Sequence, residues 1–98
     1  MRRGELWVYH PHGSARVRNI LLISSDGINE SARPWLIAAE VMDADPLDIL
    51  AVPIPGHGWV HAGNLGRIYR DWLAERIDAV DSETAERIDT ALRAAMDL

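Results

Sequence analysis

The sequence predicts an α+β protein, a small and strongly bent antiparallel β-sheet or barrel with a C-terminal amphipathic helix. Short apolar runs separated by turn residues recur between residues 6 and 62, which is typical of β-strands. Residues 81–96 instead repeat apolar side chains at helical spacing. The chain has 98 residues, 48% of them hydrophobic and 26% charged, so we expect one domain covering residues 1–98.

The first two strands are predicted at residues 6–9 and residues 19–25. The first run is apolar and aromatic, and it ends before Pro11, which lacks a backbone donor for a sheet. The second run is continuously apolar and short, as in a strand that is buried on both faces. Asp26 and Gly27 then predict a turn, followed by a polar loop up to Pro34.

Residues 35–42 fit either two turns of helix, which their alanines favour, or a strand. The acidic segment 43–48 is a good turn, and a second apolar run follows at residues 49–54. Two runs on either side of a turn favour a β-hairpin, which is the interpretation we prefer. Pro53 and Pro55 require its second strand to end at a sheet edge or at the mouth of a loop.

The segment from residue 56 to residue 77 is partly ambiguous. Gly56 and Gly58 allow a sharp turn, and residues 59–62 then predict another short strand. Residues 64–72 fit both helical and alternating spacing, and we favour a strand or short turn that ends near Trp72.

The C-terminal helix has clear signals for its start and for its buried face. Asp81 or Ser82 can cap its N-terminus, and Glu83 and Glu86 lie where the positive end of the helix dipole favours acids. The predicted buried face consists of Ala85, Ile88, Leu92, Ala95 and Met96.

Composition excludes several classes of protein. The chain has no cysteine, so disulfides, thiolate metal sites and cysteine nucleophiles are excluded. It has no apolar run near the roughly 20 residues that span a bilayer. Residues 1–7 lack the apolar stretch of a secretory signal. We therefore expect a cytoplasmic protein without membrane association.

The charge distribution suggests a phosphate-binding region near the N-terminus. Residues 1–25 carry four arginines and one acid, whereas the rest of the chain carries six arginines and fourteen acids. Arg16 and Arg18 are two apart, so on a strand both would point the same way and could bind one phosphate. A pair of solvated arginines is the simpler interpretation of the same spacing.

Histidines and tryptophans supply further candidates. RNA cleavage without a metal needs a base and an acid, which His10, His12 and His57 could provide. Their spacing, with His61, could also suggest a metal, but nothing selects a third and fourth ligand. No metal site and no cofactor are therefore predicted. Among the four tryptophans, Trp59 follows a glycine-rich turn and is the best candidate for partial exposure at a binding surface.

Several segments resemble, in order, the MazF/PemK family of toxins. Residues 3–7, Arg-Gly-Glu-Leu-Trp, are similar to the family's opening block. Residues 18–26 with Asn29 resemble its second block, an arginine before an apolar strand that ends in Ser-Ser-Asp. Residues 50–54 resemble its third block, and residues 73–77 with the terminal helix resemble its tail.

The resemblance implies a bent β-barrel, usually a homodimer. It also implies a metal-independent endoribonuclease that cuts single-stranded RNA, including mRNA, at short sequences and is neutralised by an antitoxin. Arg18 matches the family's catalytic arginine, and we add His57 as a second candidate catalytic residue. The candidate RNA-binding residues are Arg16, His10, His12, Ser24 and Trp59.

The sequence departs from the family pattern at two positions. Asn19 replaces the proline that usually follows the arginine, and Pro55 stands where the resemblance places the catalytic threonine. Either another group, such as His57, supplies the missing contact, or the chain is a non-catalytic module that binds protein or nucleic acid. Both alternatives stay open from the sequence.

Overall fold

The computed structural model describes residues 1–97, and the order of its elements matches the predicted α+β class. Seven strands and two α-helices occur in this range, with a short 3-10 turn at Arg70–Trp72. The elements are β1 Glu5–Tyr9, β2 Arg18–Leu22, α1 Asp26–Asn29, β3 Trp35–Glu40, β4 Ala51–Ile54, β5 Gly58–His61, β6 Leu65–Tyr69, β7 Leu73–Ala79 and α2 Ser82–Met96.

Five strands form an antiparallel sheet in the order β6-β3-β2-β1-β7, and β4 pairs with β5 in a separate two-stranded sheet. The pairing of β1 with β7 is interrupted between Leu6 and Trp7 and between Val8 and Tyr9. Such bulges bend a strand and increase its twist. The predicted bent sheet with a C-terminal helix is confirmed. In the described range, β6 and β7 are outer strands, so the sheet does not close into a barrel there.

Within residues 1–97, the two-stranded sheet is attached to the larger one at a single backbone bridge. Trp59 and Met42 exchange both N–H to carbonyl hydrogen bonds, at 2.7 and 2.9 Å. Gly58 permits this approach, because its φ of 131° suits glycine and a Cβ there would collide with the Met42 carbonyl. The bridge therefore fixes where β5 meets the end of β3.

Alternation along the strands divides the core into two layers. The helix face of the sheet carries Leu6, Leu21 and Ala39, which pack with Ile88 and other residues of α2. The second face carries Tyr9, Ile20, Leu22, Leu36 and Ile68. Residues i and i+2 of a strand share a face, so the direction of every side chain on β2 is set by this division.

Helix α2 begins at the predicted cap, where the Asp81 carboxylate accepts a hydrogen bond from the Thr84 N–H at 2.8 Å. The predicted buried face is confirmed at Ile88 and Leu92. It is wrong at Ala95 and Met96, which are exposed because the last turn is not covered by the sheet. Thr84 and Ala91 are buried in addition to the predicted residues.

Most of the strand predictions are confirmed, but the hairpin is wrong. Residues 35–40 and 51–54 are strands, yet β3 pairs with β2 and β6, and β4 pairs with β5. The predicted turn after Ser25 is a single turn of helix, α1, which the Ser25 hydroxyl caps. Strand β7 was not predicted.

No helix among residues 1–97 has the length and apolar character needed to cross a membrane.

Candidate functional site

Arg18 is the first residue of β2 and lies on the second face of the sheet. Its partner across the antiparallel pair is Tyr9 of β1, and its guanidinium carbon lies 5.3 Å from the centre of the Tyr9 ring. A cation held over an aromatic face in this way is attracted by the ring quadrupole. The Arg18 side chain keeps 30% of its surface exposed. The Tyr9 ring therefore orients the guanidinium, while part of the side chain stays accessible to solvent.

Glu40, the last residue of β3, joins Arg18 to Arg16. It lies opposite Ile20, and Ile20 is two residues along β2 from Arg18 on the same face. One carboxylate oxygen, Oε1, accepts a hydrogen bond from Arg16 Nη2 at 2.8 Å. The other oxygen, Oε2, lies 3.8 Å from Arg18 Nη1. Arg16 lies before β2 and not on it, so the Glu40 carboxylate, and not the predicted alternation along one strand, brings the two arginines together.

A small cleft of about 110 Å³ opens beside this group. Ile20 and Ile68 contribute apolar lining, while Arg18, Glu40, Asn64 and Arg67 contribute polar and charged groups. Arg67 also stacks on Trp35, with its guanidinium carbon 4.8 Å from the ring centre. The cleft therefore combines cationic groups with an apolar lining, which suits a phosphate flanked by flat organic groups.

A row of aromatic rings leads away from Arg18. The Tyr9 ring is 6.1 Å from the Trp72 ring, and Trp72 in turn contacts Tyr69 at 5.1 Å and His12 at 5.8 Å. Tyr69 is 45% exposed, so the far end of the row is open to solvent. Exposed aromatic rings beside arginines are the surfaces on which single-stranded nucleic acids stack their bases.

The predicted histidines at positions 10 and 12 lie beside this row. The His10 backbone N–H donates to the Trp72 carbonyl at 2.9 Å, and its ring Nε2 is 3.1 Å from the Ser14 carbonyl. His12 is exposed and packs its ring against Trp72. The structure thus places the His12 ring at the end of the aromatic row, while His10 reaches the row through its backbone bond to Trp72.

Ser24 lies in the interior of the loop that follows β2. Its hydroxyl donates to the side-chain oxygen of Asn29 and accepts a hydrogen bond from the Ile37 N–H at 3.2 Å. The Asn29 amide donates back to the Ser24 carbonyl at 2.8 Å. Because Ser24 is buried and these groups are already paired, its role here is to hold the loop that carries α1.

His57 is not brought together with Arg18. It lines a different cleft with Pro55, Leu6 and Asp78, on the side of the sheet that faces α2. Leu6 and Tyr9, the partner of Arg18, are three residues apart on β1, a separation of roughly 10 Å. The hydrogen bond from His57 Nε2, at 2.9 Å, lowers the pKa of the Asp78 carboxyl, and the Ala79 N–H adds to the effect.

Trp59 also lies apart from Arg18. It is half-buried on β5 opposite Pro53, and it lines an open groove with Leu47 and Ile49. Both of these aliphatic side chains are almost fully exposed. The predicted partial exposure of Trp59 is observed, but at a surface distinct from the arginine cleft.

The arginines at positions 2 and 3 are largely neutralised by the fold. Arg2 pairs with Glu30 at 3.0 Å and with Asp26 at 3.5 Å, and Arg3 pairs with Asp89 at 2.7 Å. Within residues 1–97 no group of three or more histidine or carboxylate side chains is arranged to hold a metal ion. The positive charge of the N-terminal quarter is therefore presented chiefly around Arg18.

Sequence reasoning missed four residues of this site, namely Glu40, Tyr9, Trp72 and Tyr69. Each reaches Arg18 through strand register or ring packing across a long chain separation. The one signal available was the alternation on β1, which puts Tyr9 and Trp7 on a common face. Local spacing carries no information on which strand then pairs beside it.

Comparison with known proteins establishes the fold. No family model matches the sequence, and no curated protein matches it. A solved structure described as an endoribonuclease in complex with its cognate antitoxin, from a mycobacterial species, superposes with a TM-score of 0.87 at 22% identity, covering 100% of this chain and 96% of that one.

Two further solved structures give the same picture. The Mycobacterium tuberculosis toxin MazF-mt6 has a TM-score of 0.82 at 14% identity, covering 96% of this chain and 97% of the toxin. A MazE-MazF structure from Deinococcus radiodurans has a TM-score of 0.83 at 17% identity, covering 100% of this chain and 96% of that one. The chain therefore has the fold of the MazF toxins, as the resemblance implied.

Proposed function

We propose that this protein is a metal-independent endoribonuclease toxin that cleaves single-stranded RNA and is neutralised by an antitoxin. The observation that carries the proposal is the Arg16–Arg18 pair, held beside an open cleft and next to a row of aromatic rings that begins at buried Tyr9 and ends at exposed Tyr69. Its MazF fold supports the same function.

The chemistry follows from the charge on the reacting phosphate. When the 2′-oxygen of RNA attacks the adjacent phosphorus, a phosphorane with additional negative charge forms, and the 5′-oxygen then leaves. Guanidinium groups fixed before the reaction stabilise that charge without having to reorganise. Arg18 is so fixed by Tyr9, and Arg16 by Glu40. The products are a 2′,3′-cyclic phosphate and a free 5′-hydroxyl.

Base recognition is assigned to the aromatic row. Tyr69, Trp72 and His12 can each stack against a nucleobase that flanks the scissile phosphate. Ser24, His57 and Trp59 are less suited to contact RNA, because Ser24 is buried and the other two line separate clefts.

Partners and organisation are part of the same proposal. Two of the similar structures contain an antitoxin or MazE beside the toxin, which supports a protein antitoxin as a partner here. We further propose one domain over residues 1–98, a homodimer, and action in the cytoplasm, as the family resemblance implies.

A cleavage assay in the presence of EDTA tests the proposal. Purified protein incubated with a random-sequence pool of single-stranded RNA should produce fragments that end in 2′,3′-cyclic phosphate. Arg18→Ala should reduce the rate by about 100-fold or more, the usual effect of removing one oxyanion-stabilising group. Arg33→Ala, which removes an exposed arginine from a loop, is the matched control and should cleave normally. Cleavage that persists unchanged in Arg18→Ala would contradict the proposal.

The alternative is a non-catalytic binding module on the same scaffold. It is suggested by Pro55, which stands where the resemblance places the catalytic threonine. The separation of Pro55 from Arg18 weakens the argument for this alternative, because a hydroxyl at position 55 would lie in the cleft of His57 and Asp78. Pro55→Thr distinguishes the two functions. A gain of RNA cleavage where the wild type has none would favour the binding module. Equal activity of both proteins would show that the missing hydroxyl at position 55 is no argument for it.

A further inference from the structure

We propose that Glu40 is the general base of the cleavage reaction and takes the proton of the attacking 2′-hydroxyl. This inference rests on the proposed endoribonuclease function and assigns a role that the sequence had given to histidine. It starts from the position of Glu40, the carboxylate that bridges Arg16 and Arg18.

The two oxygens of Glu40 are in different environments. Oε1 is engaged by Arg16 at 2.8 Å, which fixes the carboxylate. Oε2 is 3.8 Å from Arg18 Nη1, beyond hydrogen-bonding distance, and no hydrogen bond reaches it from any residue in the described range 1–97. About a third of the side chain is exposed. A substrate hydroxyl can therefore approach an anchored oxygen that still has free lone pairs.

The three histidines are less suitable as the base. His57 is hydrogen-bonded to Asp78 in another cleft. His12 is separated from Arg18 by the rings of Trp72 and Tyr9, and His10 Nε2 lies against the Ser14 carbonyl. A general base must be within hydrogen-bond reach of the proton that it removes. Glu40 meets this condition for a phosphate bound at Arg18.

The step balances in protons and bonds. The 2′-oxygen forms a bond to phosphorus as its proton passes to Glu40 Oε2, and the bond from phosphorus to the 5′-oxygen then breaks. The 5′-oxygen takes a proton from solvent water, and Glu40 returns its proton to solvent. No oxidant, reductant or metal takes part.

Proton transfer to Glu40 also increases the stabilisation that the arginines give to the transition state. In the resting state the negative charge of Glu40 partly offsets Arg16 and Arg18. Once Glu40 is protonated, both guanidinium groups face the phosphorane with their charge uncompensated. Stabilisation that is stronger in the transition state than in the ground state accelerates the chemical step.

Among residues 1–97, three charged groups lie around Glu40 and bear on its pH profile. Arg16 precedes β2, Arg18 lies on β2, and Arg67 of β6 lines the same cleft. Arginine stays protonated throughout the accessible range. These arginines therefore add no pH-dependent step of their own to the rate profile.

The test compares Glu40→Gln with the wild type under single-turnover conditions between pH 4 and pH 8. The variant keeps an oxygen for Arg16 but cannot accept the proton. We expect the cleavage rate constant to fall at least about 100-fold and its rise with pH on the acidic side to disappear. Affinity for a random single-stranded pool in 2′-deoxy form, measured by fluorescence anisotropy, should be unchanged or tighter, because a negative charge has been removed.

Two further variants make the result specific. Glu83→Gln removes the carboxylate of a surface ion pair with Arg87 on α2, and it should behave like the wild type. Glu40→Asp keeps a carboxylate and should retain both measurable activity and the acidic limb. Melting temperatures establish that each variant is folded.

Three outcomes would overturn the assignment. Glu40→Gln could cleave within about threefold of the wild-type rate, or it could keep the acidic limb, and the endoribonuclease function would then stand without this base. It could also lose binding and cleavage in parallel, which would make Glu40 a residue that only positions the arginines. If the wild type cleaves no RNA in the pool, the function and the base fall together.

Discussion

Tyr9 shows how one residue can serve both the core and the site. It is only 3% exposed, its ring lies beneath the Arg18 guanidinium, and its hydroxyl accepts a hydrogen bond from the Tyr69 N–H at 3.1 Å. The ring orients the cation, while the hydroxyl ties β1 to the end of β6. Structural and catalytic contributions at this position can therefore be separated by substitution.

Tyr9→Phe should destabilise the protein but leave cleavage nearly unchanged. It keeps the ring under Arg18 and removes the acceptor for the Tyr69 N–H, which we expect to cost about 1–2 kcal/mol of unfolding free energy. Urea denaturation measures that loss. Tyr9→Leu, which also removes the ring, should in addition slow cleavage at temperatures where it is folded. A Tyr9→Phe variant as stable as the wild type would show that the hydroxyl contributes nothing to the fold.

At the scale of single elements, β4 is a strand with a protected edge. Both backbone groups of Trp59 bond to Met42, so the Pro53–Trp59 pair exchanges no hydrogen bonds and the backbone of Pro53 faces outward. Neither Pro53 nor Pro55 has an N–H to offer, and the Ala51 N–H is already bonded to the Asp48 carbonyl. An incoming strand would therefore find no donors along this edge.

Pro53→Val should increase self-association. The change adds an outward N–H and a β-branched side chain to an exposed edge, which are the features that promote pairing between strands of different molecules. Static light scattering at increasing protein concentration measures the effect, and Pro34→Ala, in an exposed loop, is the control. An unchanged scattering profile would mean that the prolines do not protect this edge.

The elements that sequence could predict are those whose pattern is local. The apolar runs of β1 and β2 and the capped, periodic α2 are clear from their own residues. The hairpin between β3 and β4 is wrong because the strand partners are distant in sequence, and adjacency along the chain gave no indication of this. Strand β7 was missed because six of its seven residues are exposed, so its charged residues show no buried alternation.

The same limit applies to the site. Arg16 and Arg18 are two residues apart, and this spacing allowed the prediction that both could bind one phosphate, although Arg16 lies before β2 and not on it. Glu40 joins them only through the pairing of β2 with β3, and the aromatic row forms only after the chain from β6 to β7 returns beside β1. His57 was chosen for its chemistry and its place in the chain, neither of which determines the cleft that it lines.

For the whole molecule, the fold reorganises the charge seen in the sequence. The net charge is −5, which disfavours binding to a polyanion. Arg2 pairs with Asp26 and Glu30, and Arg3 pairs with Asp89 of α2. Arg18 and Arg67 line a cleft together with Glu40, and Arg16 pairs with the Glu40 carboxylate. RNA affinity should therefore depend on a few local contacts rather than on the overall field.

Salt dependence of RNA binding tests this view of the molecule. Each phosphate neutralised on a single strand contributes about −0.7 to the slope of log K against log salt concentration. Arg16→Ala should make the measured slope shallower by about that amount, because one contact is lost at the cleft. Arg2→Ala removes the same formal charge from a residue that lies outside the cleft and pairs with Asp26 and Glu30, so its slope should match the wild type. Equal changes in both variants would indicate that the general field of the protein, and not the cleft, governs binding.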